Sequence, residues 1–432
     1  MLQFSTFVLE NAFMYNKAMK RALVLCGGGS LGSYEVGVWK YFEEKGIHFD
    51  LVTGTSIGSL IGAMYVSHDF EKCVKLWENV TVSDVMVNGM NIGKNIFDGM
   101  SAKKALAFAR TYVKNAGADT TPFRKLLADA VDPKVVKASH IPLGLVTTAY
   151  PSMKQVNKIT TNLKENEILP YLEASAACWP IFPILKIGKK KFVDGGFSDN
   201  LPIDLAIEMG ATQIVAVLLK SFPPVPQHIE LTELPFVTTI SASNDIGGIM
   251  DFDHDVLMRN MQLGYLDAKK KFGDILGKKY AFTSLEPFED MADDFIRECI
   301  EDDPLLWKKI QKSLLQEGYD CRTSRDTFVA TMEIIGKILK ISPYEEYTIQ
   351  SFYEACKESC LKLLKDKVPT KQFRSTNKNR ALAKADEPAF IEYLYQSFQT
   401  GHKASHAKYF FKLSPNTVLI TTMLKNLVGK IN

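Results

Sequence analysis

The feature that most constrains the fold is a short apolar segment that runs directly into three consecutive glycines. The segment RALVL (21–25) precedes CGGGSLG (26–32), and SYEVGVWKYFEEKG (33–46) then carries apolar residues at helical spacing. A second apolar segment, FDLVTGTS (49–56), also leads into an apolar helical segment. Short apolar strands that alternate with helices are typical of a parallel sheet covered on both faces. We therefore predict an α/β fold with a mostly parallel sheet.

The α/β pattern extends over residues 20–220, where IPLGLVTTAY (141–150) and TQIVAVLL (212–219) predict further buried strands. The proline-rich segment SFPPVPQHIELTELP interrupts it, and we interpret residues 221–245 as a linker or crossover. From 246 to 432 the apolar residues recur at helical spacing. This region predicts a mainly helical C-terminal domain, which can be a lid, an oligomerisation scaffold or a partner-binding module.

Composition narrows the class of protein. The 432 residues carry a formal net charge of only +3, which argues against nucleic acid or a strongly acidic partner. The seven cysteines are scattered without a CxxC pair, so we expect neither a zinc site nor a disulfide framework. The N-terminal segment does not resemble a signal peptide, and no apolar stretch is long enough to span a membrane. We expect a cytoplasmic protein whose membrane contact, if any, is peripheral.

A nucleophile motif follows the second predicted strand. Gly54, Thr55, Ser56, Ile57 and Gly58 form the pattern G-x-S-x-G. Between a strand and a helix, this pattern makes a sharp turn that holds the serine hydroxyl clear of the backbone. The dipole of the following helix points its N–H groups at the same place. We predict that Ser56 is a nucleophile.

The glycine loop and a third motif supply the remaining groups. Adjacent strands of a parallel sheet end side by side, so backbone N–H groups of Gly27, Gly28 and Gly29 are expected to face an acyl carbonyl held at Ser56. Such a set of donors is an oxyanion hole.

A serine nucleophile also needs a base. Asp194 ends an apolar segment.

Two further glycines, Gly195 and Gly196, follow Asp194 directly. Small residues at this position allow the carboxylate to be held close to a neighbouring loop.

The three motifs GGGSLG (27–32), GTSIG (54–58) and DGG (194–196), in this order, resemble the patatin-like phospholipases, in the type found in bacteria. The resemblance covers about residues 20–220. It implies a three-layer α/β/α fold and a catalytic dyad in which Ser56 attacks an ester and Asp194 is the base. It also implies a lipid or ester substrate and no metal or cofactor. The oxyanion-hole and substrate-binding residues carried over are Gly27, Gly28, Gly29, Gly32 and Ile57.

The sequence leaves two other functions open. An acyltransferase would use the same dyad with an alcohol as acceptor in place of water. A non-catalytic interaction protein could keep the fold, although the intact Ser56 and Asp194 argue against it. Leu31 departs from the resemblance, because bacterial members commonly carry Arg or Lys there, and this removes a cation near the oxyanion or the lipid phosphate.

Other residues compete for the site. A Ser–Asp–His triad would recruit His228 or His254, and histidine is the better base near neutral pH. We expect instead that His254 begins a helix capped by an aspartate. Asp199 and Asp204 are alternative bases, and Asp199 is a candidate helix cap.

Two ligand-binding motifs fit poorly. If the glycine loop bound a dinucleotide, an acidic residue would be expected about 20 positions later, and the sequence does not have one in the required place. A calcium loop at DFDHDVL (251–257) lacks the required glycine and glutamate.

Three further segments have plain structural interpretations. The basic segments GKKKF (188–192) and AKKKFG (268–273) are predicted to be solvated, with an anionic lipid surface as the alternative. The apolar C-terminal segment 417–432 is predicted to pack in a core, with an interfacial helix as the alternative. Cys356 and Cys360, at i and i+4, are expected to pack on one helix face.

Overall fold

In the computed structural model, which describes residues 19–87, 117–219, 228–284, 289–300, 304–365, 420 and 422–423, the predicted strands lie in one sheet. The chain divides into two units, residues 1–271 and 272–432. The strands of the first unit are β1 (Arg21–Leu25), β2 (Leu51–Thr55), β3 (Leu143–Tyr150), β4 (Lys154–Ile159), β5 (Leu185–Ile187), β6 (Lys190–Asp194), β7 (Gln213–Leu218) and β8 (Val237–Ser241).

The helices of the first unit connect these strands. They are α1 (Gly32–Lys45), α2 (Ile57–Val66), α3 (Phe70–Asn79), α4 (Thr121–Ala130), α5 (Pro133–Ala138), α6 (Glu165–Ser175), α7 (Ile203–Glu208) and α8 (His254–Lys271). Helix α1 ends as its sequence predicts, because Gly46 adopts the left-handed conformation (φ 62°) and its N–H bonds to carbonyls of the last turn.

The sheet is mostly parallel. Its hydrogen-bonded order is β5-β6-β3-β2-β1-β7-β8. Strands β2 and β6 pair with successive parts of one edge of β3, and β4 pairs with the opposite edge. Strands β3, β2, β1, β7 and β8 run parallel, whereas β4, β5 and β6 are antiparallel to their neighbours. The α/β class predicted from the sequence is confirmed.

Helices cover both faces of the sheet. Val52 and Thr53 are neighbours on β2, so their side chains point to opposite faces. Gly62 of α2 packs beside Val52, whereas Leu205 of α7 lies beside Thr53 and Gly144. The layers are therefore helix, sheet and helix.

Helix α8 belongs to the first unit, which corrects the predicted domain boundary at 245/246. At its crossing with α1, a side chain on Gly37 would collide with the Met261 carbonyl, and one on Gly264 with the Tyr34 carbonyl. The two glycines thus let the helices approach at backbone distance. The first unit extends to Lys271, and the predicted linker 221–245 contains the paired strand β8.

The second unit is mainly helical, with one small sheet. Its elements are β9 (Ala281–Ser284), α9 (Glu289–Ile300), α10 (Pro304–Gln316), α11 (Ser324–Ile338), β10 (Glu346–Thr348) and α12 (Ile349–Lys365). Strands β9 and β10 pair in parallel. Cys356, Cys360 and Met423 are buried in its apolar core, as predicted for the two cysteines and for this part of the C-terminal segment.

Two other predictions fall largely outside the described residues. These are the loop at 87–99, of which only Val87 is described, and the helical segment at 390–398. Within the part of the chain that the structure describes, no helix has the length and apolarity needed to cross a membrane.

Candidate active site

The ends of two strands meet on one edge of β3. Strand β2 runs parallel to β3 and ends with Thr55 opposite Val146. Strand β6 runs antiparallel along β3 and ends with Asp194 opposite Thr147. The other edge of β3 is occupied by β4. The carboxyl ends of β2 and β6 therefore converge one residue apart along β3, and the residues at these ends are brought together.

Ser56 lies at this junction, between β2 and α2. Its backbone has φ 53° and ψ −124°, outside the regions that a serine ordinarily adopts. Such a conformation costs on the order of 1–3 kcal/mol and persists only where neighbours hold it. The Ser56 N–H donates to Ser175 Oγ at 2.9 Å, and the Ser175 hydroxyl donates to the Val146 carbonyl at 2.6 Å. Ser175 thereby ties the strained turn to β3.

Ser56 and Asp194 are in direct contact. The Ser56 hydroxyl donates to Asp194 Oδ2 at 2.7 Å, and the Gly196 N–H donates to Asp194 Oδ1 at 2.7 Å. The carboxylate is only 6% exposed. Burial raises the pKa of Asp194 to about 6, and the bonds from Gly196 and Ser56 act in the opposite direction. The group is a stronger base than a solvated aspartate and is still largely ionised at neutral pH.

The three N–H groups predicted as donors in the glycine loop differ in their hydrogen bonds. Among the described residues, no acceptor lies within hydrogen-bond distance of the N–H groups of Gly28, Gly29 or Ile57. The Gly27 N–H, in contrast, donates to the Asn200 carbonyl at 3.0 Å. The Gly32 N–H bonds to carbonyls of the preceding turn. Gly27 and Gly32 are therefore wrong as donors, because their N–H groups are already used.

These two glycines are needed for close packing instead. A side chain on Gly27 would collide with the Asn200 amide and approach Ser56 Cβ. One on Gly32 would collide with Ile57 and Trp77.

The remaining motif glycines also hold backbones close together. A side chain on Gly58 would collide with the carbonyls of Leu25 and Cys26 at the end of β1. One on Gly54 would collide with the first turn of α2, and one on Gly195 with the Val146 carbonyl. Gly196 lies against Asn200 and Asp194. The sharp turn at Ser56 can thus sit directly on the strand ends.

The alternative bases lie elsewhere. His254 contacts the Glu78 carbonyl at 3.1 Å, and Asp253 caps the first turn of α8 as predicted. His228 contacts Glu230. Among the described residues, Asp194 is the side chain that bonds to Ser56 Oγ.

The competing aspartates have structural contacts. Asp199 Oδ1 accepts from the Leu201 N–H rather than capping α7, and the Asp199 carbonyl accepts from the Thr55 hydroxyl. Asp204 accepts from its neighbour's N–H and from Gln155. Asp199 thus supports the loop that follows Asp194, whereas Asp204 links α7 to β4.

Sequence reasoning missed three groups around the site. Ser175 holds the Ser56 N–H. The Asn200 amide donates to the Gly27 carbonyl at 2.9 Å, so this residue bonds both polar groups of that glycine. Residues 248–251 pack on the glycine loop through Ser30. Of these groups, only Asn200 lies near a predicted site residue in the sequence, six positions after Asp194.

Comparison with known proteins gives consistent matches. A family model described as Patatin-like phospholipase matches residues 23–207. The mouse patatin-like phospholipase domain-containing protein 6 is 30% identical over 199 residues, which are 45% of this chain and 13% of that protein. Lysophospholipase NTE1 of Mycosarcoma maydis is 29% identical over 199 residues, 46% of this chain and 10% of that protein. The matched segment is thus a small part of these curated relatives.

Among solved structures, VipD from Legionella pneumophila matches 96% of this chain and 92% of its own, with 12% identity and a TM-score of 0.39.

Proposed function

Because the chain belongs to the patatin-like phospholipase family through residues 23–207, we propose that it is a lipid acyl hydrolase of the phospholipase A or lysophospholipase type. In this proposal Ser56 is the nucleophile and Asp194 is the general base. The observation that carries it is the 2.7 Å bond between the Ser56 hydroxyl and Asp194 Oδ2.

In the acylation step, Ser56 Oγ attacks the ester carbonyl carbon while its proton passes to Asp194 Oδ2. The carbonyl oxygen becomes an oxyanion within reach of the N–H groups of Gly28, Gly29 and Ile57. One such donor is worth roughly 3 kcal/mol in the transition state. As the tetrahedral intermediate collapses, the proton passes from Asp194 to the leaving alcohol oxygen, and the acyl group stays on Ser56.

In the deacylation step, Asp194 takes a proton from water as the water oxygen attacks the acyl carbon. Collapse of the second intermediate breaks the bond to Ser56 Oγ and returns the proton to it. The products are an alcohol and a carboxylic acid. The bond from Gly196 to Asp194 Oδ1 leaves Oδ2 aimed at the serine in both steps.

The base strength fits this role. A pKa of about 6 leaves Asp194 ionised at neutral pH and closer to the working pH than an ordinary aspartate. Its buried position also strengthens its interaction with the proton it accepts.

The test is covalent labelling with a fluorophosphonate, which reacts with activated serines. Wild type, Ser56→Ala and Asp194→Asn are compared, and the adduct is mapped by mass spectrometry. Ser198→Ala is the matched control, since this serine also bonds within the loop after Asp194 but does not contact Ser56. Hydrolysis of a lysophospholipid and of a short-chain ester is measured on the same proteins.

We expect labelling at Ser56 in the wild type and in Ser198→Ala, none in Ser56→Ala, and much slower labelling in Asp194→Asn. Ester hydrolysis should follow the same order. An adduct on another serine, or full activity in Asp194→Asn, would refute the assignment of the dyad.

A further inference from the structure

A hairpin of unpaired lysines lies next to the candidate active site. Strands β5 and β6 form it, together with the turn at Gly188 and Lys189. We call residues 185–191 the lysine hairpin. Four of its lysines are exposed, and within the described residues they have neither an ion pair nor a hydrogen-bonded side-chain partner: Lys186, Lys189, Lys190 and Lys191.

The register of the sheet concentrates this charge. Lys186 lies directly opposite Lys191 in the hairpin, and Tyr150 of β3 lies opposite Lys191 on its other side. Residues in one such row point to the same face of the sheet and have Cβ atoms about 5 Å apart. Like charges directly opposite each other destabilise a hairpin. An anionic partner would remove that repulsion.

The two chain segments that contain the β3–β4 turn and the lysine hairpin carry positive charge and no acid. Residues 143–164 and 174–193 contain seven lysines and neither aspartate nor glutamate. The exposed Lys154 pairs in register with Ala149, at the turn that joins β3 to β4. These two segments, which include both turns, thus carry charges of one sign.

The same turns expose apolar side chains. Tyr150 is 37% exposed and Met153 is 44% exposed, both at the β3–β4 turn. Trp179 is 38% exposed, on the loop whose Ala177 carbonyl accepts the N–H of Asp194. A mixture of lysines with exposed aromatic and apolar side chains fits the boundary between lipid headgroups and acyl chains. A nucleic acid would account for the lysines but not for the exposed apolar side chains beside them.

The second basic segment differs. In α8, Lys270 forms an ion pair with Asp267 at 2.7 Å, and Lys269 lies 5.2 Å from the centre of the Tyr265 ring. Two of the three lysines of this segment thus have intramolecular partners. The lysine hairpin is the segment whose charge is left for a partner.

We propose that the lysine hairpin, with Tyr150, Met153 and Trp179, docks the protein on an anionic phospholipid membrane. Lys191 is three residues from Asp194 on β6, so docking would hold the dyad roughly 10 Å from the lipid surface. The consequence of docking for catalysis rests on the proposed function, since docking would deliver a bilayer lipid to Ser56. Membrane binding itself does not depend on catalysis.

The test measures binding to vesicles by flotation, with Ser56→Ala as the background so that no lipid is hydrolysed. Vesicles of phosphatidylcholine are compared with vesicles that contain phosphatidylserine as well. The hairpin variant changes Lys186, Lys189, Lys190 and Lys191 to Gln. The control variant changes four exposed lysines elsewhere on the first unit to Gln, which gives the same net charge: Lys72, Lys75, Lys125 and Lys134.

We expect salt-sensitive binding to the anionic vesicles and a loss of roughly 500- to 1,000-fold in the hairpin variant, since each of its four lysines near such a surface contributes about fivefold. The control variant should bind like the parent. Equal binding to both vesicle types, equal loss in both variants, or lysine-dependent binding to RNA in place of vesicles would overturn the proposal.

A second readout separates this proposal from the proposed function. With Ser56 present, the hairpin variant should hydrolyse a monomeric short-chain ester at the parent rate and lose activity only on anionic vesicles. If the short-chain ester is not hydrolysed by any variant, the proposed function fails while the vesicle-binding result still stands or falls by itself.

Discussion

Removal of the Ser175 hydroxyl tests whether Ser56, the proposed nucleophile, is held by its neighbours. Ser175 is fully buried, accepts from the Ser56 N–H and donates to the Val146 carbonyl. Ser175→Ala leaves these two groups without that partner. A buried polar group that loses its partner costs about 1–3 kcal/mol, so for the two groups together we expect a loss of about 2–6 kcal/mol in the free energy of unfolding.

Stability and catalysis should change together in this variant. For a unit of this size, 1 kcal/mol corresponds to roughly 2–4 °C, so the melting temperature should fall by about 4–24 °C. Because Ser56 has a strained backbone, release of its N–H should also let the turn relax. We expect kcat to fall by about 10–100-fold with little change in KM, since Ser175 bonds to the nucleophile's backbone and not to its hydroxyl.

The assays are thermal unfolding by circular dichroism and hydrolysis of a short-chain ester. Ser67→Ala is the matched control, because its hydroxyl bonds to the Ala63 carbonyl at the other end of α2. That variant should keep its kcat. If Ser175→Ala keeps kcat within twofold of the wild type, Ser175 does not position Ser56 and the reasoning is refuted.

Three further predictions follow from the same contacts. Asp194, with a pKa of about 6, must be ionised to act as base, so kcat/KM should fall about tenfold per pH unit below pH 6 and level off above it. Asn200→Asp replaces the donor to the Gly27 carbonyl with an acceptor, and a loss of kcat of about 10–100-fold is expected in ester hydrolysis. Glu35 is buried beside the Cys26 N–H, and burial raises its pKa well above the usual value. The unfolded chain therefore releases this proton at lower pH, stability declines above about pH 4.5, and Glu35→Gln should reduce that decline, which urea unfolding across pH 5–8 would measure.

Each of these predictions has a control or an opposing outcome. A pH–rate profile without an inflection near pH 6 would argue against Asp194 as the base. Asn79→Asp, which loses an amide-to-carbonyl bond on the exposed end of α3, should leave kcat unchanged. Glu71→Gln changes an exposed carboxylate on α3, and a pH dependence of stability equal to that of Glu35→Gln would contradict the role given to burial.

The sequence predicted the family, and the patatin-like phospholipase family model matches residues 23–207. The signals were local: each motif joins residues within six positions of one another, and the turn chemistry of glycine and serine can be recognised without knowing what lies nearby. The alternation of apolar strands with helices predicted the α/β class for the same reason. Strands β4, β5 and β8 were missed because half-buried segments with polar residues lack the continuous apolar pattern of β1 or β2.

The helix α8 was assigned to the wrong unit for a different reason. Its helical spacing was read correctly, but spacing does not say which surface a helix packs on. Gly37 and Gly264 decide that together, and they lie 227 positions apart. The glycine loop shows the same limit, because the Gly27 N–H is used by Asn200, a contact that spans 173 residues.

The sequence by itself determined the candidate catalytic groups: a serine on a sharp turn, a carboxylate before two glycines, and a loop rich in backbone donors. Only the tertiary structure decided that Ser56 and Asp194, 138 positions apart, meet at 2.7 Å. The physical reason is the register along β3, where β2 ends opposite Val146 and β6 ends opposite Thr147. Strand pairing and burial are properties of residues distant in the chain, and they set both the geometry of the dyad and the raised pKa of Asp194.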